Sequence, residues 1–315
     1  MLNSTFLLGG IPYIPPANNF AYIAGGYQNT APTGKQSSIQ KFLFTGETIS
    51  TLSATLSTTK YAIGSVMNYG TCGYYAGGAN GSDASTNSID KMTFSSDTRS
   101  TLSATLVTVN QSGGSASNST TAGYLLSGVN ASSASTQIQK ILYSSETTSS
   151  LSAVTSAAVS GNTGLTNSGT AGYSVGGYVG PQTTSVTKLT YSSETTAAGT
   201  AMQVAMSGLW GNSNGTTAGY AIGGYDGSNF RNIIQKYNYG TNATSTISAT
   251  QSASISTAAG ATNGTICGYS FGGDTSGEVY VATIQKLTYA GETMANVSVS
   301  LAHSLYYGTA MSNNG

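Results

Sequence analysis

Six copies of one signature, spaced 47 to 52 residues apart, govern what this chain can fold into. Each is a strand-like run that opens on Tyr and closes on a small residue and Gly: Tyr22 to Gly26, Tyr74 to Gly78, Tyr124 to Gly128, Tyr173 to Gly177, Tyr220 to Gly224 and Tyr269 to Gly273. A second run follows each doublet and ends on an aromatic residue, as in Ile39-Gln-Lys-Phe-Leu-Phe44 and Ile284-Gln-Lys-Leu-Thr-Tyr289. Every copy carries a lysine there: Lys41, Lys91, Lys140, Lys188, Lys236 and Lys286. Next comes a short turn with an acid, at Glu47, Asp97, Glu146, Glu194 and Glu292, with Asn242 in the fifth copy. A Ser/Thr-rich strand such as Thr51 to Leu56 completes the unit, and a fourth strand precedes each tyrosine through turns such as Asn214-Gly215.

Four short strands in about 50 residues cannot bury both faces of their own sheet, so the units must stack around an axis. The expectation is an all-β, six-bladed β-propeller of four-stranded blades. Composition agrees, because charged residues are only 6%, against roughly 25% in an average soluble domain, which starves helices of solvated faces. The 41 Gly and 21 Tyr favour turns and aromatic strands instead.

With these residues in view, the chain resembles the kelch family: a Gly-Gly doublet closing one strand, an aromatic residue closing a later one, and a period near 50. The resemblance covers residues 18–315. It departs from the family pattern in lacking the blade Trp and the Arg-rich fourth strand, with Tyr and Thr in their place. The Gly/Ser/Thr/Asn/Tyr-rich, charge-poor style is similar to the appendage and fibre proteins of tailed bacteriophages, especially kelch-like ones of phages infecting cyanobacteria. That likeness implies a non-enzymatic virion structural protein that meets host surface glycans; the alternative is a secreted or surface lectin-like propeller, hence an extracellular location.

The termini predict how the ring closes. Leu56 to Gly70 aligns with Leu301 to Gly315 without a gap, pairing Tyr61 with Tyr306 and Asn68 with Asn313. The C-terminal strand is therefore expected to complete the blade whose other three strands are N-terminal, removing two exposed edges.

Little is left for chemistry. Ten basic and ten acidic residues leave no net charge, so nucleic acid is not an expected partner. No run of about 18 apolar residues marks a membrane span. Cys72 and Cys267 each stand in Cys-Gly-Tyr where other copies have Ala-Gly-Tyr, and read as small buried residues. One His and two Arg cannot furnish a propeller oxidase copper site or a sialidase arginine cluster, and no Ser-His-Asp set can be nominated. The expectation is no enzyme activity, no cofactor and no metal, although Asp226 and Asp274 stand in loops where carboxylates sometimes bind Ca²⁺.

The loops after the doublets hold the candidate ligand residues. Tyr27, Tyr178 and Tyr225 are expected as stacking platforms for sugar rings, with Asp226 and Asp274 accepting hydroxyls; packing of loop against loop is the alternative. Residues 1–17 lie outside the repeat. They are too apolar to trail in water, and Phe6, Leu7, Leu8, Ile11, Tyr13 and Ile14 make them a candidate arm for docking on other virion subunits, the alternative being that the arm lies across the propeller's own surface.

Overall fold

The computed structural model describes residues 19–28, 34–276 and 278–313, which form strands and turns with no helix. The docking candidates Phe6, Leu7, Leu8, Ile11, Tyr13 and Ile14 lie outside the described residues. Six four-stranded antiparallel sheets make a six-bladed propeller. Blade one is assembled from both ends of the chain, in the order Thr309–Ser312, Phe20–Ala24, Ser38–Leu43, Thr48–Thr55. Its closing register sets Ala21 opposite Ser312, Tyr22 opposite Met311 and Ile23 opposite Ala310. The ring closes as the terminal alignment predicts.

Burial runs from axis to rim. The second strand of each blade is covered on both faces by the neighbouring blades, so Phe20–Ala24, Cys72–Ala76 and Ala218–Ile222 are buried at every residue. That is why these strands read as continuous apolar runs instead of alternating. Outer strands such as Thr48–Thr55 are covered on one face only, and their Ser/Thr residues alternate with half-buried Ile49 and Leu52.

The hydrophobic core lies in the seams. Six buried clusters each join two adjacent blades, for example Ala21, Ile23 and Phe42 of blade one with Tyr269, Phe271 and Ile284 of blade six. At every seam the aromatic residue ending the third strand stacks on the signature tyrosine of the preceding blade: Phe94 on Tyr22, Tyr143 on Tyr74, Tyr191 on Tyr124, Tyr239 on Tyr173, Tyr289 on Tyr220 and Phe44 on Tyr269, with ring centroids 5.1 to 5.7 Å apart. The two sequence signatures are thus the two halves of one inter-blade contact. Offset stacking adds on the order of 1 kcal/mol per pair to the area buried.

A repeated side chain ties each blade to the connection leaving the previous one. The carbonyl oxygens of Gln40, Gln139, Gln235 and Gln285 accept backbone N–H bonds of 2.8 to 3.0 Å from Ala302, Thr108, Val204 and Ser252. Thr187 does the same for Ser156, and Asp90 for Ser57. In the doublets, Gly25 and Gly26 have φ of 64° and 91°, and a Cβ on Gly25 would lie 2.5 Å from the Lys60 carbonyl oxygen. Glycine is required there both for its backbone conformation and for the closeness of the next connection.

Candidate functional site

The loops after the doublets and the connections into the inner strands share one face of the propeller. Around its mouth six backbone N–H groups donate in a closed circle: Ala62 to Tyr307, Ser112 to Ala62, Gly161 to Ser112, Gly208 to Gly161, Thr257 to Gly208 and Tyr307 to Thr257, at 2.7 to 3.2 Å. All six residues have positive φ, a conformation that costs non-glycine residues energy and is retained here by the ring. Beneath it the inner strands enclose a cavity of about 180 Å³ lined by small and hydroxyl residues such as Ser65, Ser117, Thr166 and Ser213, with Tyr69 also in its wall. Burial raises the Tyr69 phenol to about 12, so it is neutral.

Just outside the circle, the residue following each doublet pairs with the connection in its own blade: Tyr27 with Tyr306, Ala79 with Tyr61, Val129 with Gln111, Tyr178 with Ser160, Tyr225 with Ser207 and Asp274 with Ser256. Tyr27, Tyr178, Tyr225 and Asp274 therefore hold one equivalent position on the same face. They do not share a platform, because blades one and four lie opposite each other in a ring of six. Tyr178 is 47% exposed. Tyr225 leans on Phe230 and donates its hydroxyl to the Gly227 carbonyl. Asp226 accepts backbone N–H bonds from Ser228 and Asn229, which hold its carboxyl below the usual range with help from Arg231 at 3.3 Å.

The structure gathers tyrosines at blades six, one and two. Tyr27 meets the edge of Tyr280, Tyr280 stacks on Tyr306 at 4.7 Å and 2°, Tyr306 meets Tyr307 edge-on, and Tyr307 leans toward Tyr61. All five rings are half-buried. Tyr61 donates to Asp83 at 2.7 Å, and Lys35 pairs with the same carboxylate at 2.8 Å. Asp274 lies against the cluster, 6% exposed, with Oδ1 buried and without a hydrogen-bond partner. Burial, and then the charge of Glu278, raise its carboxyl to about 6. Tyr61, Tyr280, Tyr306 and Tyr307 escape the sequence reading. The Tyr306-Tyr307 doublet aligned with Tyr61-Ala62 was the available signal, whereas Tyr280 sits in a short strand paired with Asp274–Thr275, at a position where blade one has Lys35, so no repeated residue marks it.

On the opposite face, five seams carry a three-residue bridge. The signature tyrosine and the lysine of one blade converge on the turn acid of the next: Tyr22 and Lys41 on Asp97, Tyr74 and Lys91 on Glu146, Tyr124 and Lys140 on Glu194, Tyr220 and Lys236 on Glu292, Tyr269 and Lys286 on Glu47. The acids adopt φ between 46° and 54° to reach these partners.

Lys60 and Asp90 form a pair at 3.3 Å with no exposed side-chain surface, completed by Ser57, Ser88 and Thr101. Burial lowers the Lys60 pKa against the pull of Asp90. His303 lies 3.3 Å from Ser38 Oγ, a contact the sequence did not announce; burial lowers its pKa, with no carboxylate acting on the ring. Cys72 and Cys267 are buried free thiols. Among the described residues no three His, Cys, Asp or Glu side chains group as a metal site. No protein-family model matches the chain, and no curated protein matches it.

Proposed function

We propose that the chain is a non-enzymatic attachment module of a virion appendage, resembling the kelch-like propellers of tailed phages. In this reading residues 1–17 dock it to another subunit and the loop face meets host surface glycans. The observation that supports it is the tyrosine cluster of Tyr27, Tyr61, Tyr280, Tyr306 and Tyr307. These tyrosines lie outside the six buried seam clusters and are partly exposed to solvent. Phenol rings beside carboxylates suit sugars, whose C–H faces stack while their hydroxyls are hydrogen-bonded. Tyr178, Tyr225 and Asp226 extend the same face on the far side of the mouth.

Glycan-array and cell-adsorption measurements on the full chain test the reading. Replacing Tyr27 and Tyr280 together by Ala is expected to weaken binding at least tenfold, at about 1 kcal/mol per stacked ring, with the unfolding midpoint little changed. Undiminished binding by that folded variant, combined with loss in a Tyr178→Ala, Tyr225→Ala variant, would move the site to blades four and five. Binding by neither the wild type nor any variant would leave the glycan reading without support. Mass spectrometry of purified particles separates the virion protein from a secreted lectin-like propeller.

A further inference from the structure

Five of the six seams are closed by a carboxylate, and the sixth lacks one. Between blades four and five the turn position is Asn242, and its side-chain oxygen accepts a 3.3 Å bond from the Tyr237 hydroxyl instead of reaching the lysine. Asn242 is exposed, whereas the five acids at this position are half-buried. Two donors are left behind. Lys188 has no ion pair among the described residues, although its five counterparts sit 2.5 to 2.8 Å from their acids. The Tyr173 hydroxyl is fully buried and has no hydrogen-bond partner among the described residues.

A buried hydroxyl without an acceptor is destabilising, and an ammonium at the same place lacks its counter-charge. Tyr173 and Lys188 face each other across their strands, in the register that brings Tyr22 opposite Lys41 where both hold Asp97. The other seams therefore specify what group this pair is arranged to hold, and from which side it arrives.

We infer that the seam between blades four and five is a binding site for a carboxylate supplied by another molecule, held by the Lys188 ammonium and the Tyr173 hydroxyl. The occupant enters from the turn face, over the exposed Asn242 side chain, whose long bond to Tyr237 is readily exchanged. A single monodentate carboxylate binds weakly, and a carboxylate carried on a polypeptide gains from the contacts around it.

The test uses the full chain and three probes: sodium acetate, sodium chloride at equal ionic strength, and a short end-blocked peptide with one Glu. The wild type is expected to unfold at a higher temperature in acetate than in chloride, and Lys188→Gln to lose that increment. Asn242→Asp, which supplies the group from within as Asp97 does, should raise the midpoint in chloride and also abolish the increment. A half-saturating concentration at least tenfold lower for the peptide than for acetate identifies the occupant as an acidic polypeptide segment; equal values identify a small carboxylate. The inference is overturned if acetate and the peptide do no more than chloride for the wild type, or if Asn242→Asp keeps the full response.

Discussion

Lys41 reaches past the turn acid of its own hairpin, Glu47, and sets its Nζ 2.8 Å from Asp97 of the next blade. The pairing of repeat lysine and turn acid, present at five of the six seams, is therefore a link between repeats, and both members of every link are half-buried. Removing one link should loosen one seam. Glu292→Gln is expected to cost about 1 kcal/mol, because a half-exposed ion pair is screened and its tyrosine and lysine can turn to water. Urea unfolding checks this, with a lowered midpoint and an unchanged slope.

The pH dependence of stability should have two flanks of opposite sign. The hydrogen bond from Lys286 holds Glu47 below its ordinary 4.5. At Glu146 and Glu194 burial pushes upward but is outweighed by hydrogen bonds from Lys91 and Tyr74, and from Lys140 and Tyr124. The stability these acids contribute is present above pH 4.5 and is lost as pH falls below it through their folded values. Asp274 behaves inversely. Its folded value of about 6 lies above the ordinary 3.8, so its contribution is full at low pH and is lost as pH rises through 6. The expected curve peaks near pH 4.5 and falls from there to about pH 6. Asp274→Asn should flatten only the alkaline flank, by about 1–2 kcal/mol after allowance for solvent screening at this rim. Denaturation midpoints from pH 3 to 8 for both proteins decide it.

The buried Lys60–Asp90 pair stands where three other blades have an apolar side chain and Gln, for example Met206 and Gln235. Breaking it with Asp90→Ala should cost about 3–5 kcal/mol, since an ammonium is left in the interior, whereas Lys60→Met with Asp90→Gln should be neutral or stabilising. Thermal melts of the single and double variants check both halves. A double variant as unstable as the single one would mean that the pair fixes something the other blades do not need.

Fold and closure were legible in the sequence because the ring repeats the same contact six times. Tyr22 and Phe94 belong to different copies, yet each recurs at a fixed place, so the stacking partners appear as two periodic signals. What repeats without a neighbour in sequence was not legible. Lys41 stands close to Glu47 along the chain, so the sequence leaves open a pair within the hairpin or one between blades, and the rotation from blade to blade decides for Asp97. The candidate site was legible in part. Tyr27 was found through its position after a doublet, but Tyr280 belongs to a short ribbon, Val279–Tyr280, paired with Asp274–Thr275; blade one has the same ribbon with Lys35 opposite Tyr27, so the position recurs while its residue does not. Asp274 and Asp226 look alike in sequence; one is buried against phenol rings and the other is tied into its own loop by backbone N–H groups.

Closure through the C-terminal strand is the claim on which the rest depends, since every seam presupposes a complete ring. The direct measurement is thermal unfolding and sedimentation of a chain ending at Gly308, which removes the strand Thr309–Ser312 from the inner edge of blade one. The expected result is loss of the cooperative transition and of the monomer, because Phe20–Ala24 becomes an unpaired buried edge. A truncated chain that stays monomeric and melts with the full-length midpoint would contradict the account.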